Sequence, residues 1–322
     1  MNILVASAGR RVKIIQYFKK ALLGDKGKVI AADCDKNAPA LYFSDSFELI
    51  PRLDSDDYLT SILSICEKYN ISAIVSLIDP ELEVLAENKA KFDDINVELI
   101  LSPIDTIHYT FDKQSTYDHL STLGILSVPT YSVLEEVEEL LNNHEMTFPL
   151  VVKPGKGSAS IGIKTVEDVN ELRHAFSQDK DLIIQPFYKE REYGIDVYID
   201  MIDGGLTDMF IKEKIKMRSG ETDKSVSIHN EEIEILVKDL IAKTDFKGPI
   251  DIDCFLYNGK YYISEINPRF GGGYPHAYEM GCDFMEYIVT NLKGKANPEY
   301  SGYRYEAGYV MMKYDDVVLK KI

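Results

Sequence analysis

Asp251, Asp253, Glu265, Asn267 and Arg269 stand at alternating positions of two runs within DIDCFLYNGKYYISEINPRFGGG, the segment from Asp251 to Gly273. Successive strand residues point to opposite faces. Asp251 and Asp253 therefore share a face, as do Glu265 and Asn267, with Ile252, Cys254 and Ile266 turned away. Acids, an amide and a guanidinium gathered this closely cost too much desolvation unless a cation or an anion satisfies them. Oxygen-only ligands on short strands suit Mg²⁺ held against nucleotide phosphates. The plainer alternative is a solvated hairpin face.

The hairpin carries its own test. A two-residue turn at Asn258-Gly259 would set Asp253 opposite Ser264 and throw Glu265 to the other side, because a one-residue slip flips every side chain. The metal reading therefore expects a three-residue turn, Asn258-Gly259-Lys260, with Gly259 at a left-handed bulge position. In that register Asp253 faces Glu265 and Asp251 faces Asn267.

Other constellations lie upstream. KPGKGSASIG, Lys153 to Gly162, is a small-residue loop between two expected strands. Its backbone N–H groups, around Gly157, Ser158 and Ser160, can approach phosphate oxygens closely, and Lys153 can reach them as a point charge. It is not a Walker A loop, because the spacing is wrong and a strand follows. In IIQPFYKEREYGIDVYI an extended hinge offers its backbone to an adenine edge at Gln185 and Phe187, and Glu192 can accept from ribose hydroxyls. Lys113 opens a helix and reads most simply as solvated. The run KEKIKMRS, Lys212 to Ser219, is either a solvated face or a phosphate contact through Lys214 or Arg218. Ser7-Ala8-Gly9-Arg10-Arg11 follows the first strand, where helix N–H groups and two arginines favour an anion. It lacks GxGxxG, which disfavours a nicotinamide cofactor. His276 is either a substrate contact or, more simply, a surface histidine.

These residues need elements to hold them. Alternating strands and helices in the first third imply a parallel, doubly wound sheet: strands at Ile3–Ala6, Lys28–Ala32, Ala73–Leu77 and Glu98–Leu101, helices at Arg10–Leu23, Asp57–Tyr69 and Glu81–Phe92. Ligands of such sheets sit at the strands' carboxyl ends, near the segment from Ser7 to Arg11 with Arg10 and Arg11, near Asp33 and near Asp79. Helices follow at Lys113–Leu123 and Leu134–Asn142. Strands at Pro149–Lys153 and Ile161–Thr165, a helix at Glu167–Phe176 and a strand at Leu182–Gln185 come next. Beyond Tyr193, strands dominate, with a helix at Glu231–Thr244. The expected units are 1–110, 111–186 and 187–322.

Composition excludes several classes. The chain has 322 residues and a formal net charge of −17, which disfavours nucleic acid and anionic membrane as main partners. Cys34, Cys66, Cys254 and Cys282 show no CxxC pairing, so neither zinc nor disulfides are expected, and the compartment expected is the cytoplasm. No stretch is apolar enough to span a bilayer, and the N-terminus has its arginines after its apolar run, the reverse of a signal peptide.

The order of the motifs resembles the ATP-grasp superfamily, and the resemblance covers nearly the whole chain. With its LVASAGRR start and its NPR after the acidic strand, the chain looks most like the carbamoyl-phosphate-synthase-like branch. The resemblance implies a Rossmann-like domain followed by an ATP-grasp fold of two α+β subdomains. It implies that Lys113 and Lys153 bind the α and β phosphates and that the loop from Gly155 to Ser160 closes over them. Gln185 and Phe187 would hold adenine, and Glu192 the ribose. Asp253, Glu265 and Asn267 would hold Mg²⁺, expected as two ions with Mn²⁺ able to substitute, and Arg269 would steady the transferring phosphoryl group. The implied activity is an ATP-dependent carboxylate–amine ligase working through an acyl phosphate, with small-molecule carboxylate and amine substrates. Amine carboxylation through carboxyphosphate and a non-catalytic ATP-binding regulator remain alternatives. Full carbamoyl phosphate synthesis is disfavoured, because the chain offers one ATP site. Arg10, Arg11, Asp79, Arg218 and His276 are substrate candidates from position alone, and a homodimer is left open.

Overall fold

The computed structural model describes residues 1–157, 162–188 and 191–321. Five parallel strands, β1 (Asn2–Ala6), β2 (Lys28–Asp33), β3 (Ser46–Leu49), β4 (Ala73–Ser76) and β5 (Glu98–Leu99), form a sheet of order β3-β2-β1-β4-β5. Near-continuous apolar runs in β1, β2 and β4 suit burial on both faces. Helix α1 (Val12–Ala21) covers one face, and α2 (Tyr58–Tyr69), α3 (Asp79–Glu87) and α4 (Lys89–Asp93) supply the other side. The sheet is doubly wound, as expected. The helix expected over Glu81–Phe92 is two helices. Pro80, tolerated in a first turn, lets α3 begin at Asp79, and Asn88 separates it from α4. Strand β3 was not legible, because its residues alternate half-buried and exposed at a sheet edge.

Helices α5 (Ile104–Phe111), α6 (Lys113–Thr122) and α7 (Leu134–Asn142) lead to a small antiparallel sheet. It contains β6 (Leu150–Pro154), β7 (Lys164–Val166) and β8 (Leu182–Pro186) in the order β7-β6-β8, with α8 (Val169–Gln178) packed on it. The return strand begins at Lys164 rather than Ile161. Ser158, Ser160 and Ile161 lie outside the described residues.

The third sheet is antiparallel, with β9 (Glu192–Ile199), β10 (Leu206–Arg218), β11 (Glu221–Ser227), β12 (Gly248–Tyr257), β13 (Lys260–Asn267) and β14 (Val310–Met312) in the order β13-β12-β9-β10-β11-β14. Helix α9 (Glu231–Lys243) packs Ile233, Val237 and Leu240 onto Ile195, Ile252 and Ile266. On the other side, α10 (Tyr274–Glu279) and α11 (Phe284–Leu292) join the core of the first sheet, where the Tyr17 and Tyr278 rings stack at 3.5 Å.

The hairpin of β12 and β13 corrects one expectation and meets another. Tyr257 pairs with Lys260, so the turn holds two residues, not three. Asn258 and Gly259 both take positive φ, 49° and 72°, as the mirror-image turns favoured in hairpins require. Pairing then runs regularly to Cys254 and Ile263 and jumps to Asp253 and Glu265, leaving Ser264 unmatched. This is a β-bulge, and the Ser264 hydroxyl donates to the Asp253 carbonyl at 3.1 Å across it. The bulge restores the register that the short turn would have lost. Asp251 faces Asn267, Asp253 faces Glu265, and Ile252, Cys254 and Ile266 form a buried back.

Candidate functional site

Asp253 lies opposite Gly194 on β9 as well as Glu265 on β13. A Cβ at Gly194 would come within 3.0 Å of Lys212 Cε and 3.2 Å of Lys214 Cε, so the glycine leaves room for both lysines to cross the sheet face. The Lys214 ammonium stands 2.6 Å from Asp253 Oδ1 and 2.7 Å from Glu192 Oε1. Lys212 forms a fully buried pair with Asp196. The run KEKIKMRS is therefore divided: Lys212 and Lys214 project inward, whereas residues 215–219 are exposed. Arg218 belongs to neither arrangement, since Asp223 and Asp315 hold it at 2.9 and 3.0 Å. That pairing engages its charge within the fold.

A cleft forms where the three sheets meet, lined by Asp79, Lys113, Gly157, Glu265 and Asn267. Lys113 is not a lone solvated lysine. Its ammonium donates to the Gly157 carbonyl at 2.6 Å and its backbone N–H to the Gly155 carbonyl at 3.0 Å. Burial pushes the Glu265 carboxyl above its ordinary range against the opposing charges of Lys113 and Lys153. Burial also pulls Lys153 down to about 8, with Glu265 resisting and Lys113 adding to the fall. Lys214 is raised, because Asp253 and Glu192 outweigh its burial. Glu192 is raised by burial against the pull of Lys214.

Arg269 is buried on the neighbouring face. Its Nη2 donates to Asp79 Oδ2 at 2.7 Å and to Asn267 Oδ1 at 3.1 Å, and its Nη1 to the Phe270 carbonyl at 3.1 Å. Burial alone would lower the Arg269 pKa, but Asp79 more than offsets it and the pKa rises. Asp79 opens α3, so the first sheet supplies the partner that orients this guanidinium. The three glycines that follow each make room for a charged side chain. A Cβ at Gly271 would fall 2.3 Å from Asp251 Cγ, one at Gly272 2.7 Å from Glu221 Cγ, and one at Gly273 2.7 Å from Lys212 Cε.

Several sequence candidates fall elsewhere. The Gln185 amide is buried and donates to Thr130 Oγ1 at 2.8 Å, and its backbone pairs with Val151 in the small sheet. Phe187 is half-buried, and beside it the Tyr188 ring stacks on Tyr257 at 4.2 Å. Arg10 and Arg11 precede α1 instead of opening it, and both reach Glu221. His276 is neither a surface histidine nor open to the cleft. It is 3% exposed, with Nδ1 2.8 Å from Ser225 Oγ and its ring edge-on to Phe210. Tyr188, Asp196 and Glu221 escaped the sequence reading. Only strand alternation through β9 could have flagged Asp196, by placing it on the face of Glu192.

The donors fit a divalent cation. Asp253 on β12 and Glu265 and Asn267 on β13 present oxygen donors from facing strand positions, the ligand type that Mg²⁺ takes. Among the described residues, the group whose ligand atoms do converge within 4.8 Å is elsewhere, at Glu83, Glu87 and His108 on α3 and α5. Among the described residues, no helix is long and apolar enough to cross a membrane.

Comparison with known proteins finds an ATP-grasp domain model over residues 110–273 and a PylC-like N-terminal domain model over residues 3–100. A D-alanine–D-alanine ligase of Campylobacter jejuni is 25% identical over 200 residues, covering 56% of this chain and 57% of that protein. The ligase of Campylobacter lari is 23% identical over 313 residues, covering 91% and 90%. Thus the chain spans little more than half of the first of these relatives. Carbamoyl-phosphate synthases match as well. Among solved structures, N5-carboxyaminoimidazole synthetase from Staphylococcus aureus complexed with ADP superposes with a TM-score of 0.73 at 17% identity, over 92% of this chain and 78% of that one. At that identity the likeness is one of fold.

Proposed function

Because the chain belongs to the ATP-grasp family, whose members use ATP and Mg²⁺, we propose that it joins a small-molecule carboxylate to an amine and releases ADP and phosphate. The observation that carries this reading is the single cleft shared by Lys113, Gly157, Glu265 and Asn267, with Arg269 held beside it. Three separate sequence segments contribute these residues, and each is of a type that phosphoryl transfer uses.

In this reading Lys113 and Lys153 bind nucleotide phosphates under the loop from Gly155 to Ser160. The hinge from Gln185 to Phe187 faces adenine through its backbone, and Glu192 faces the ribose. Asp253, Glu265 and Asn267 would hold Mg²⁺, as two ions with Mn²⁺ able to replace them, and the metal would supply charge neutralisation at the phosphates. A carboxylate oxygen of the substrate attacks the γ-phosphorus, the bond to the bridging oxygen breaks, and ADP leaves. The amine nitrogen then attacks the acyl carbon, phosphate departs, and the nitrogen loses a proton. Arg269, fixed by Asp79 and Asn267, stabilises the transferring group without reorganising. Lys214 shields Asp253 from Glu192 and keeps two carboxylates from repelling each other.

The proposed units are 1–110, 111–186 and 187–322, acting in the cytoplasm, with a homodimer allowed. The test is release of ADP and phosphate from Mg·ATP with pooled acids and amines. Release that needs both pools supports the ligase. AMP and pyrophosphate in their place would overturn it.

A further inference from the structure

Glu221 opens β11 after a tight turn in which Ser219 and Gly220 both take positive φ, 51° and 75°. Three cations from distant parts of the chain converge on this one carboxylate. Arg10 Nη2 lies 3.1 Å from its Oε1, Arg11 Nη2 lies 3.2 Å from the same oxygen, and Lys313 Nζ lies 3.1 Å from Oε2. Lys313 also donates to the Gly272 carbonyl at 2.7 Å. In a chain of net charge −17, three cations around one acid leave an excess of positive charge at this point.

The neighbouring groups do not cancel that excess. Arg269 is already matched by Asp79. Asp251 also acts on Arg11, which leaves three cations against two acids. Burial, with Arg269 and Arg10 adding, lowers Arg11 despite Glu221. Burial likewise lowers Lys313. Both cations would gain from a further anion. A structural ion pair needs one partner, whereas this cluster collects three donors and exposes part of each, with side-chain exposures of 55%, 20% and 24% for Arg10, Arg11 and Lys313.

We propose that Arg10, Arg11 and Lys313 form an anchoring subsite for an oxyanion of the acid substrate, which Glu221 occupies until that oxyanion replaces it. The inference rests on the ligase reading above and adds the substrate's class: an acid with a second anionic group, carboxylate or phosphate, besides the one that reacts. Arg11 lies within electrostatic reach of Arg269, so the subsite adjoins the phosphoryl-transfer cleft. Gly272 leaves the space that Glu221 occupies, since a Cβ there would fall 2.7 Å from Glu221 Cγ.

The experiment is calorimetric titration of the full chain with succinate and, separately, inorganic phosphate at low ionic strength. Glu221→Gln removes the competing carboxylate and is expected to tighten binding about tenfold, while Arg11→Gln and Lys313→Gln each weaken it by a similar factor. Tightening for succinate alone identifies a carboxylate anchor, and tightening for phosphate alone a phosphate anchor. No binding of either probe, or affinities unchanged in Glu221→Gln and Lys313→Gln, would overturn the subsite. Turnover assays separate the two readings. ADP release whose acid KM is unchanged by Lys313→Gln would sink the subsite and keep the ligase. Probe binding that responds to these substitutions without ADP release from any pool would do the reverse.

Discussion

Glu265 and Lys153 show most plainly how single residues would serve the proposed chemistry. Glu265 is a carboxylate raised by burial that a divalent cation would satisfy. Glu265→Gln removes that charge at nearly constant volume, so ADP formation should fall to background while the urea midpoint stays near that of the parent. Lys153→Ala should weaken ATP binding about tenfold or more, the size of a lost charged hydrogen bond of roughly 1.5–3 kcal/mol, as equilibrium nucleotide titration would show. His276 makes a different prediction. Burial, then the charge of Lys212, lowers its pKa to about 4. The unfolded chain takes up this proton near pH 6.5 and the folded one only near 4. Stability should therefore be complete above pH 6.5 and fall as the pH drops towards 4, by a loss on the order of 2 kcal/mol. Urea midpoints at pH 7 and 5 check this, and His276→Gln should flatten the difference. Residue types and order revealed the acids, the amide and the lysines. His276 was misread because nothing local distinguishes a histidine under a sheet from one on a surface.

At the scale of elements, the hairpin from Gly248 to Asn267 shows what a sequence can hide. Asn258-Gly259 is a strong signal for a two-residue turn, and that is the turn formed. Taken alone, it puts Glu265 on the wrong face. The register depends on a bulge at Ser264, a residue with no conformational signature of its own. Only the demand that Asp253 face Glu265 pointed to an extra residue somewhere in the hairpin. The loop of Gly271 to Gly273 is similar. Its glycines carry no sequence signal for their role, which is clearance over Asp251, Glu221 and Lys212. Gly271→Ala would place a methyl 2.3 Å from Asp251 Cγ. It should cost about 1–3 kcal/mol and lower ADP formation by displacing the strand end that carries Arg269. Denaturation and turnover assays measure the two effects.

For the whole molecule, the parallel first sheet was legible because β1, β2 and β4 are nearly continuous apolar runs that alternate with amphipathic helices. Its union with the C-terminal helices was not, because long-range contacts leave no periodic trace. Tyr17 and Phe18 on α1 pack with Phe270, Tyr274 and Tyr278, so one apolar core joins the first sheet to α10 and α11. The first hundred residues should therefore not melt separately. Calorimetry should give one transition for this shared core, and a separate early transition of the N-terminal sheet would contradict it. The same packing brings Asp79 to Arg269 and Arg11 to Glu221, tying the first sheet to the proposed chemistry. The most direct test of that chemistry is the nucleotide product formed from Mg·ATP with pooled small acids and amines, by the parent and by Glu265→Gln. The account predicts ADP and phosphate in equal amounts, dependent on both pools and absent from the variant. AMP as the product, or ADP formed equally well by Glu265→Gln, would contradict it.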